Sequence, residues 1–324
     1  MGNSKFIIKG IIFGFLLSLL ALFSCIREKK ETGEKRVFVF YYFEGNIGER
    51  GGLFAAYSRD LKTWHKLADS LTAPSIGEWG VFRDPSVMRT DDGVFHLVWT
   101  CGKSGFGYAN SINGICWEDI RFVPVVDSAK GMVFANVWAP DFYVEGEDVF
   151  ILWSSTLMKD FVPPDDPKKW TKAVWDHRLY YTSTNDFQSF APPKKFWDPG
   201  FNAIDGTINR TDSLYYIFFK DERKESKKII LAESKNLFGP FINMREVSYR
   251  DTEGAITVST DTALFLFYDN YHENKGYRYI TTNDLRTWSD ENIPEKVQFN
   301  DVIRHGSIVQ VTEVELESMM QMIK

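Results

Sequence analysis

From Val37 onward the chain is written in short runs of large apolar residues separated by turns of Asp, Asn, Gly, Ser and Thr. VFVFYYF (37–43), LFAAYS (53–58), FHLVWT (95–100), VFILWSS (149–155), YYIFFKD (215–221) and LFLFYDN (264–270) are the clearest. Runs this short, rich in aromatic and branched residues and bounded by turn formers, predict strands. A second pattern is laid over the first. One phrase occurs five times, as SRDLKTW (58–64), SINGICW (111–117), TNDFQSF (184–190), SKNLFGP (234–240) and TNDLRTW (282–288). The copies start 53, 73, 50 and 48 residues apart. Each reads as a Ser/Thr-Asn/Asp turn closing a hairpin, followed by a large residue. Sheet-forming units repeated about every fifty residues predict an all-β fold, a five-bladed β-propeller.

A polar residue opens the first strand that follows each turn copy. The segments are FRDPSVMRTDDGVFHLVWT from Phe82, VWAPDFYVEGEDVFILWSS from Val137, AIDGTINRTDSLYYIFFKD from Ala203, TEGAITVSTDTALFLFYDN from Thr252 and IRHGSIVQV from Ile303. The polar residues are Asp84, Asp141, Asp205, Glu253 and His305. The first strand of a propeller blade lines the central channel. One ionisable residue at an equivalent strand end of each blade therefore predicts a ring around the axis. Taken singly, each is better explained as a turn or capping acid. Four acids and a histidine in one ring are costly to bury unless charges pair or protons are shared, which points to chemistry or a ligand.

The chain ends complete the ring. Residues 37–43 and 53–58 supply later strands of a blade without an innermost one, and residues 305–312 supply an innermost strand with nothing after it. Pairing them would join the two ends in one sheet and remove open edges. Strand direction then places 44–51, 102–105, 221–228, 269–276 and an insertion at 156–177 beside the polar ring. The insertion accounts for the 73-residue spacing and carries Trp170, Trp175, Asp176 and His177. Long loops of this kind are more often functional than structural. The turn copies, with Trp64, Trp117 and Trp288, fall on the far side as packing residues. Trp79 and Phe82 lead into Asp84 and fit a stacking wall or the core equally. Cys101 and Cys116 stand at opposite ends of one strand, too far apart to bond.

The first residues belong to targeting. Lys5 and Lys9 precede an apolar run from Ile11 to Phe23, which ends in Leu-Phe-Ser-Cys at Cys25. Residues 1–24 read as a signal peptide, and the ending resembles a bacterial lipobox that would make Cys25 a lipidated N-terminus. A plain signal peptide or an anchor helix is the alternative. Residues 25–36 are charged and aperiodic, a solvated tether, and 37–324 form one domain. This predicts a lipid-anchored protein of a bacterial cell envelope, touching membrane only through that lipid. Net charge is −6, or −8 without Lys5 and Lys9, and no basic run exists, which argues against nucleic acid. Aromatic residues make up 16%, enough for a core and a sugar-binding cleft together.

Asp-Pro at Asp84, Trp-Ala-Pro-Asp at Asp141, Ile-Asp at Asp205, Glu-Gly at Glu253 and His-Gly at His305 resemble, in order, glycoside hydrolase family 43. The likeness covers nearly all of the mature chain. It implies an inverting glycosidase acting on arabinofuranosyl, xylosyl or related sugars of plant-type glycans. It further implies Asp84 as general base, Asp141 as the carboxylate that orients and tunes the acid, and Glu253 as general acid. His305 would stand near the channel centre, where some relatives hold water or calcium; no cofactor and no catalytic metal are expected. Trp79, Phe82, Arg83, Trp138, Asp205 and His305 are the candidate substrate-binding residues, in a monomer. Two departures bear on the substrate. Ala255 stands where the family usually has Pro, and Arg83 and Arg304 flank ring members, though strand alternation would turn both away. An anionic sugar substituent stays open. The alternatives are a catalytically silent carbohydrate-binding propeller, a structural or protein-binding propeller, and a retaining fructan hydrolase.

Overall fold

The computed structural model describes residues 36–44, 52–166, 168–169, 172–272, 276–294 and 303–323. Residues 1–35, with Cys25 and most of the tether, lie outside them, as do Trp170 and the loop 45–51. Nineteen strands and one α-helix follow in chain order among the described residues. The first blade holds β1 (Arg36–Glu44), β2 (Leu53–Ser58) and β3 (Trp64–Thr72). Next come β4 (Arg83–Arg89), β5 (Phe95–Thr100), β6 (Gly105–Ser111) and β7 (Glu118–Pro124), then β8 (Trp138–Glu145), β9 (Asp148–Ser155), β10 (Arg178–Thr184) and β11 (Lys194–Trp197). The fourth sheet is β12 (Ala203–Arg210), β13 (Tyr215–Asp221), β14 (Ile229–Ser234) and β15 (Ile242–Glu246). The fifth has three strands, β16 (Thr252–Ser259), β17 (Leu264–Asn270) and β18 (Gly276–Thr282).

The last strand, β19 (Ile303–Thr312), pairs antiparallel with β1 from Arg36↔Thr312 to Glu44↔Ile303. The first sheet is thus ordered β19-β1-β2-β3 and holds both ends of the described chain. The innermost strands adjoin in the order β19, β4, β8, β12, β16 and back to β19. Five blades close the ring as the repeat predicts. The core lies between blades: Trp64, Phe40 and Phe267 fill one interface, and Phe106, Trp153 and Tyr180 another.

The repeated phrase has a clear local cause. In SRDLKTW the Ser58 hydroxyl accepts from Asp60 N–H, while Asp60 Oδ1 accepts from the backbone N–H of Lys62 and Thr63. Thr184/Asp186 and Thr282/Asp284 repeat the arrangement. These side chains satisfy the orphan donors of a tight turn, so the sequence marks the corner wherever it occurs. Trp64 and Trp117 are buried beneath their turns, and Trp288 packs edge-on against Phe218.

One element was absent from the sequence reading, which ended the chain on a strand. The helix α1 (Glu313–Met322) follows β19, opened by a capping box in which Thr312 and Glu315 bond reciprocally. Leu316 and Met319 anchor it on the core beside Tyr41, and Glu313 and Glu315 pair with Arg59 and Arg89. It clamps the closing blade.

Gly107 is closely packed, and a methyl group there would overlap the buried Trp99 indole. We expect Gly107→Ala to cost about 1–3 kcal/mol of stability. The check is a lowered urea midpoint with unchanged slope; a midpoint within error of the parent would refute it.

Candidate active site

All five innermost strands carry the same irregularity. Two residues of the inner strand oppose one of its neighbour between Arg83 and Ser86, Trp138 and Asp141, Ile204 and Thr207, Glu253 and Ile256, and Ile303 and Gly306. Each is a one-residue β-bulge, a device that re-aims side chains at a strand end. The first bulge residue is left-handed in four blades: Asp84 (φ 49°), Ala139 (47°), Asp205 (55°) and Gly254 (64°). Three of these are not glycine, and such strain gathers at functional positions.

The bulges correct the expected ring. Its five members do not share one register position. Glu253 precedes its bulge, Asp84 and Asp205 open theirs, His305 is second in its own, and Asp141 comes just after. Consequently Asp141 sits one level away from the others, beside hydroxyls at its own register position in the neighbouring blades. Ser86 Oγ donates to Asp141 Oδ1 at 2.7 Å, and Thr207 bonds it from the other side. Burial pushes the Asp141 carboxyl up, against these bonds.

A second repeated contact supports the bulges. In four of the five blades the residue opposite the bulge's leading edge, on the second strand, reaches the next blade's bulge or the residue just before it. Thr100 Oγ1 accepts from Ala139 N–H at 2.8 Å, and Ser154 Oγ accepts from Asp205 N–H at 2.9 Å. At the same position in the next two blades stand Lys220 and Asp269, both buried. Lys220 Nζ lies 2.6 Å from Glu253 Oε2, and Asp269 Oδ2 accepts from Arg304 Nε at 3.1 Å. Arg304 Nη2 completes the contact, 2.6 Å from Glu253 Oε1. Sequence reasoning missed Lys220 and Asp269. The signal was present in the aligned strand ends Lys-Asp and Asp-Asn against Thr-Cys and Ser-Ser. It also expected alternation to turn Arg304 outward; the bulge breaks the alternation and aims Arg304 inward.

His305 lies at the centre. Its Nδ1 is 4.0 Å from Asp84 Oδ1, and its ring packs against Gly254, where a side chain would strike it. Burial disfavours its charge, yet the surrounding Asp205, Asp84, Asp269 and Asp141 outweigh this and raise its pKa. Five carboxylates from four blades therefore surround the His305 ring. Among the described residues no group of three His, Cys, Asp or Glu is arranged to hold an ion.

Glu253 is biased towards its charged form. Burial works to raise its pKa, but Lys220 and Arg304 overcome this and hold the carboxyl down at about 2. Asp205 behaves oppositely: burial first, then repulsion from Glu253 and Asp84, pushes it up to about 7, with Oδ2 accepting from Gly254 N–H at 3.1 Å. Asp205 is thus the neighbour that titrates against Glu253. By position Asp205 lies against Gly254, next to Glu253, whereas Asp141 lies beside Ser86.

The remaining candidates divide. Phe82 is 1% exposed and stacks on Trp99 within the core, so it offers no ring to a substrate. Trp79 is half-buried at the approach to β4. Arg83 lies over the Phe43 ring, 5.2 Å from its centroid. Trp138 contacts the insertion: its ring is 5.0 Å from Trp175 and 4.7 Å from His177, and Phe161 lies 4.5 Å beyond Trp175. The insertion does stand beside the ring. His177 itself is buried, with its pKa pulled down to about 3 chiefly by that burial. Cys101 is buried and Cys116 exposed, both free. A hollow of about 560 Å³ between Val87–Asp91 and Ile308–Gln310 opens at the opposite end of β4 and β19, away from the carboxylates.

A five-bladed propeller with carboxylates gathered at one end of its axis is the architecture of a class of glycan-active proteins. Residues 34–317 match the family described as "Probable glycosyl hydrolase domain", related to glycoside hydrolase family 43, and the chain belongs to it. An α-L-arabinofuranosidase of Bifidobacterium longum subsp. longum is 24% identical over 250 residues, covering 66% of this chain and 23% of that protein. The chain thus spans about a quarter of that relative. The exo-β-1,3-galactanase of Clostridium thermocellum superposes with a TM-score of 0.57 at 13% identity, over 78% of this chain and 58% of the other. A family 43 arabinoxylan arabinofuranohydrolase from Bacillus subtilis gives 0.53 at 14% identity, over 80% and 64%. These two likenesses establish the fold.

The cluster makes stability depend on pH in a defined direction. Asp205 holds its proton more tightly folded than unfolded, so its share of stability is intact below 3.8 and is lost as pH rises towards about 7. His305 acts in the same sense: its share is whole below 6.5 and is lost as pH rises through its raised folded value. Glu253 runs the other way, its share being lost as pH falls below 4.5 towards about 2. Asp205→Asn should therefore flatten the decline of the urea midpoint between about pH 4 and 7. A parental slope in that variant would refute the titration.

Proposed function

We propose that this protein is an inverting glycoside hydrolase that removes terminal or side-chain arabinofuranosyl or xylosyl-type residues from plant-type oligosaccharides or polysaccharides. The observation that carries this reading is the convergence of Asp84, Asp205 and Glu253, from three inner strands, on the His305 ring in a chain of this family. Inversion needs one carboxylate to take a proton from water as its oxygen attacks the anomeric carbon. A second, protonated carboxyl must give its proton to the departing glycosidic oxygen as the C–O bond breaks, from roughly 6.5–9.5 Å away. Asp84 suits the base: among the described residues its nearest ionic partner is His305 at 4.0 Å. Glu253 suits the acid by place, with Asp205 beside it to hold the shared proton in the resting site. Glu253 must gain that proton against Lys220 and Arg304 before turnover. Trp138 and Trp79 supply half-buried aromatic faces for a sugar, as does the insertion through Trp175.

A carbohydrate-binding propeller without turnover is the second reading, favoured by the ion pairs that keep Glu253 charged. Hydrolysis of aryl arabinofuranosides and xylosides separates the two. We expect Asp84→Asn and Glu253→Gln each to lower kcat by about 10²–10⁴-fold with unchanged circular dichroism. NMR of the first-formed sugar should show the inverted anomer. Parental rates in both variants would remove these assignments.

The N-terminal reading is carried forward as part of the proposal: lipid on Cys25 anchors the domain to a bacterial envelope. Cys25→Ala should move the protein from the membrane fraction to the soluble fraction and abolish labelling by a fatty-acid probe. Continued membrane association would point to an uncleaved anchor helix.

A further inference from the structure

Glu253 does not stand in a simple ion pair. Lys227, Glu222, Lys220, Glu253, Arg304 and Asp269 form a chain of alternating charge, each linked to the next. Lys227 pairs with Glu222, Lys220 Nζ lies 2.6 Å from both Glu222 Oε1 and Glu253 Oε2, and Arg304 bridges Glu253 at 2.6 Å and Asp269 at 3.1 Å. Lys220 is 3% exposed and its ammonium also lies over the Tyr271 ring, 4.2 Å from the centroid. It occupies the register position at which Thr100 and Ser154 offer neutral hydroxyls to the next blade's backbone. Here the group is a full cation aimed at a side chain.

The neighbours show which link matters. Arg304 has Asp269 as a second partner, and Glu222 has Lys227. Take Lys220 away and Glu222 keeps Lys227 while Glu253 keeps Arg304 on Oε1, but Glu253 Oε2 is left without a cation among the described residues. The other groups facing Glu253 are His305 on β19, Asp205 on β12, Asp269 on β17 and Tyr271. Among the described residues none of them pairs with Oε2, which Lys220 alone holds.

We propose that Lys220 is a positioning residue that sets the upper pH limit of turnover by holding Glu253 as a carboxylate, an inference that rests on the hydrolase reading above. Protonating Glu253 requires its separation from a buried ammonium that has no water to turn to, which costs far more than in an exposed pair. Opposite charge within reach lowers a carboxyl pKa, so removal of the cation must raise it. The catalytic acid loses its proton as pH rises through its pKa. With Lys220 present this loss comes early, and the site is adapted to acid conditions.

The test is the pH profile of kcat/KM on an aryl arabinofuranoside for the parent, Lys220→Met and Lys220→Gln, the second variant keeping a hydrogen-bond donor without the charge. The expected result is a descending limb moved to higher pH by at least about one unit in both, roughly tenfold more relative activity near neutrality. A limb that stays in place while kcat falls evenly across pH would mean a structural role only and overturns the proposal. A second readout needs no turnover: carbon-13 titration of the Glu253 carboxyl in protein labelled at glutamate. Its midpoint should rise in both variants, and an unmoved midpoint overturns the proposal. If the midpoint rises but no aryl glycoside is cleaved by any of the three proteins at any pH, the electrostatic link stands and the hydrolase reading fails.

Discussion

The arrangement at the axis depends on one backbone constraint, a single extra residue in each innermost strand at the same pairing position. Without that bulge, strand alternation would send every second side chain into the blade interface, and consecutive residues could not share the channel. With it, Arg304 and His305 both serve the centre, and Asp84 and Asp205 take left-handed conformations that ordinary strand residues avoid. The strain is held by the neighbouring blade. Thr100 and Ser154 bind the backbone of the next bulge, and Lys220 and Asp269 bind its side chains. Closure of the ring is therefore also the support of the site, since four of the five blades are held at the bulge from the sheet before them.

That support changes character around the ring. On the Asp141 and Asp205 side it is neutral and made of hydroxyls. On the Glu253 and His305 side it is ionic, and the six-membered charge chain fills the space between β13, β17 and β19. Buried ion pairs add little net stability, because desolvation consumes most of the attraction. Their consequence here is electrostatic: they keep Glu253 ionised and leave Asp205 as the group that takes up the proton. A site with this division can be read as a resting hydrolase whose acid is not yet loaded, and the same division is what a binding protein without turnover would show.

The insertion and the aromatic residues add shape to one side of the mouth. Trp138 reaches from β8 to Trp175 and His177, so the one long connection is packed against the same strand that carries Asp141. Phe82 lies equally near in sequence and contributes nothing to that surface, because it is the stacking partner of Trp99 in the core.

Much of this was legible in the chain. The turn phrase determines itself, because Ser or Thr and Asp or Asn two residues on satisfy their own turn wherever they stand. Five such corners with short apolar runs between them leave a propeller as the answer, and unmatched strands at the two ends require the closing pair of β1 and β19. The residue types of the ring could be read for the same reason. Their register could not, since a bulge is a choice made between two strands and depends on what the next sheet offers. Only the tertiary structure placed Asp141 a level apart, moved Asp205 beside Glu253, drew Lys220 and Asp269 in from strands that look like core, and turned Arg304 inward. Local sequence sets where a chain bends; which charges meet across five sheets is decided by distance and burial, which no single segment contains.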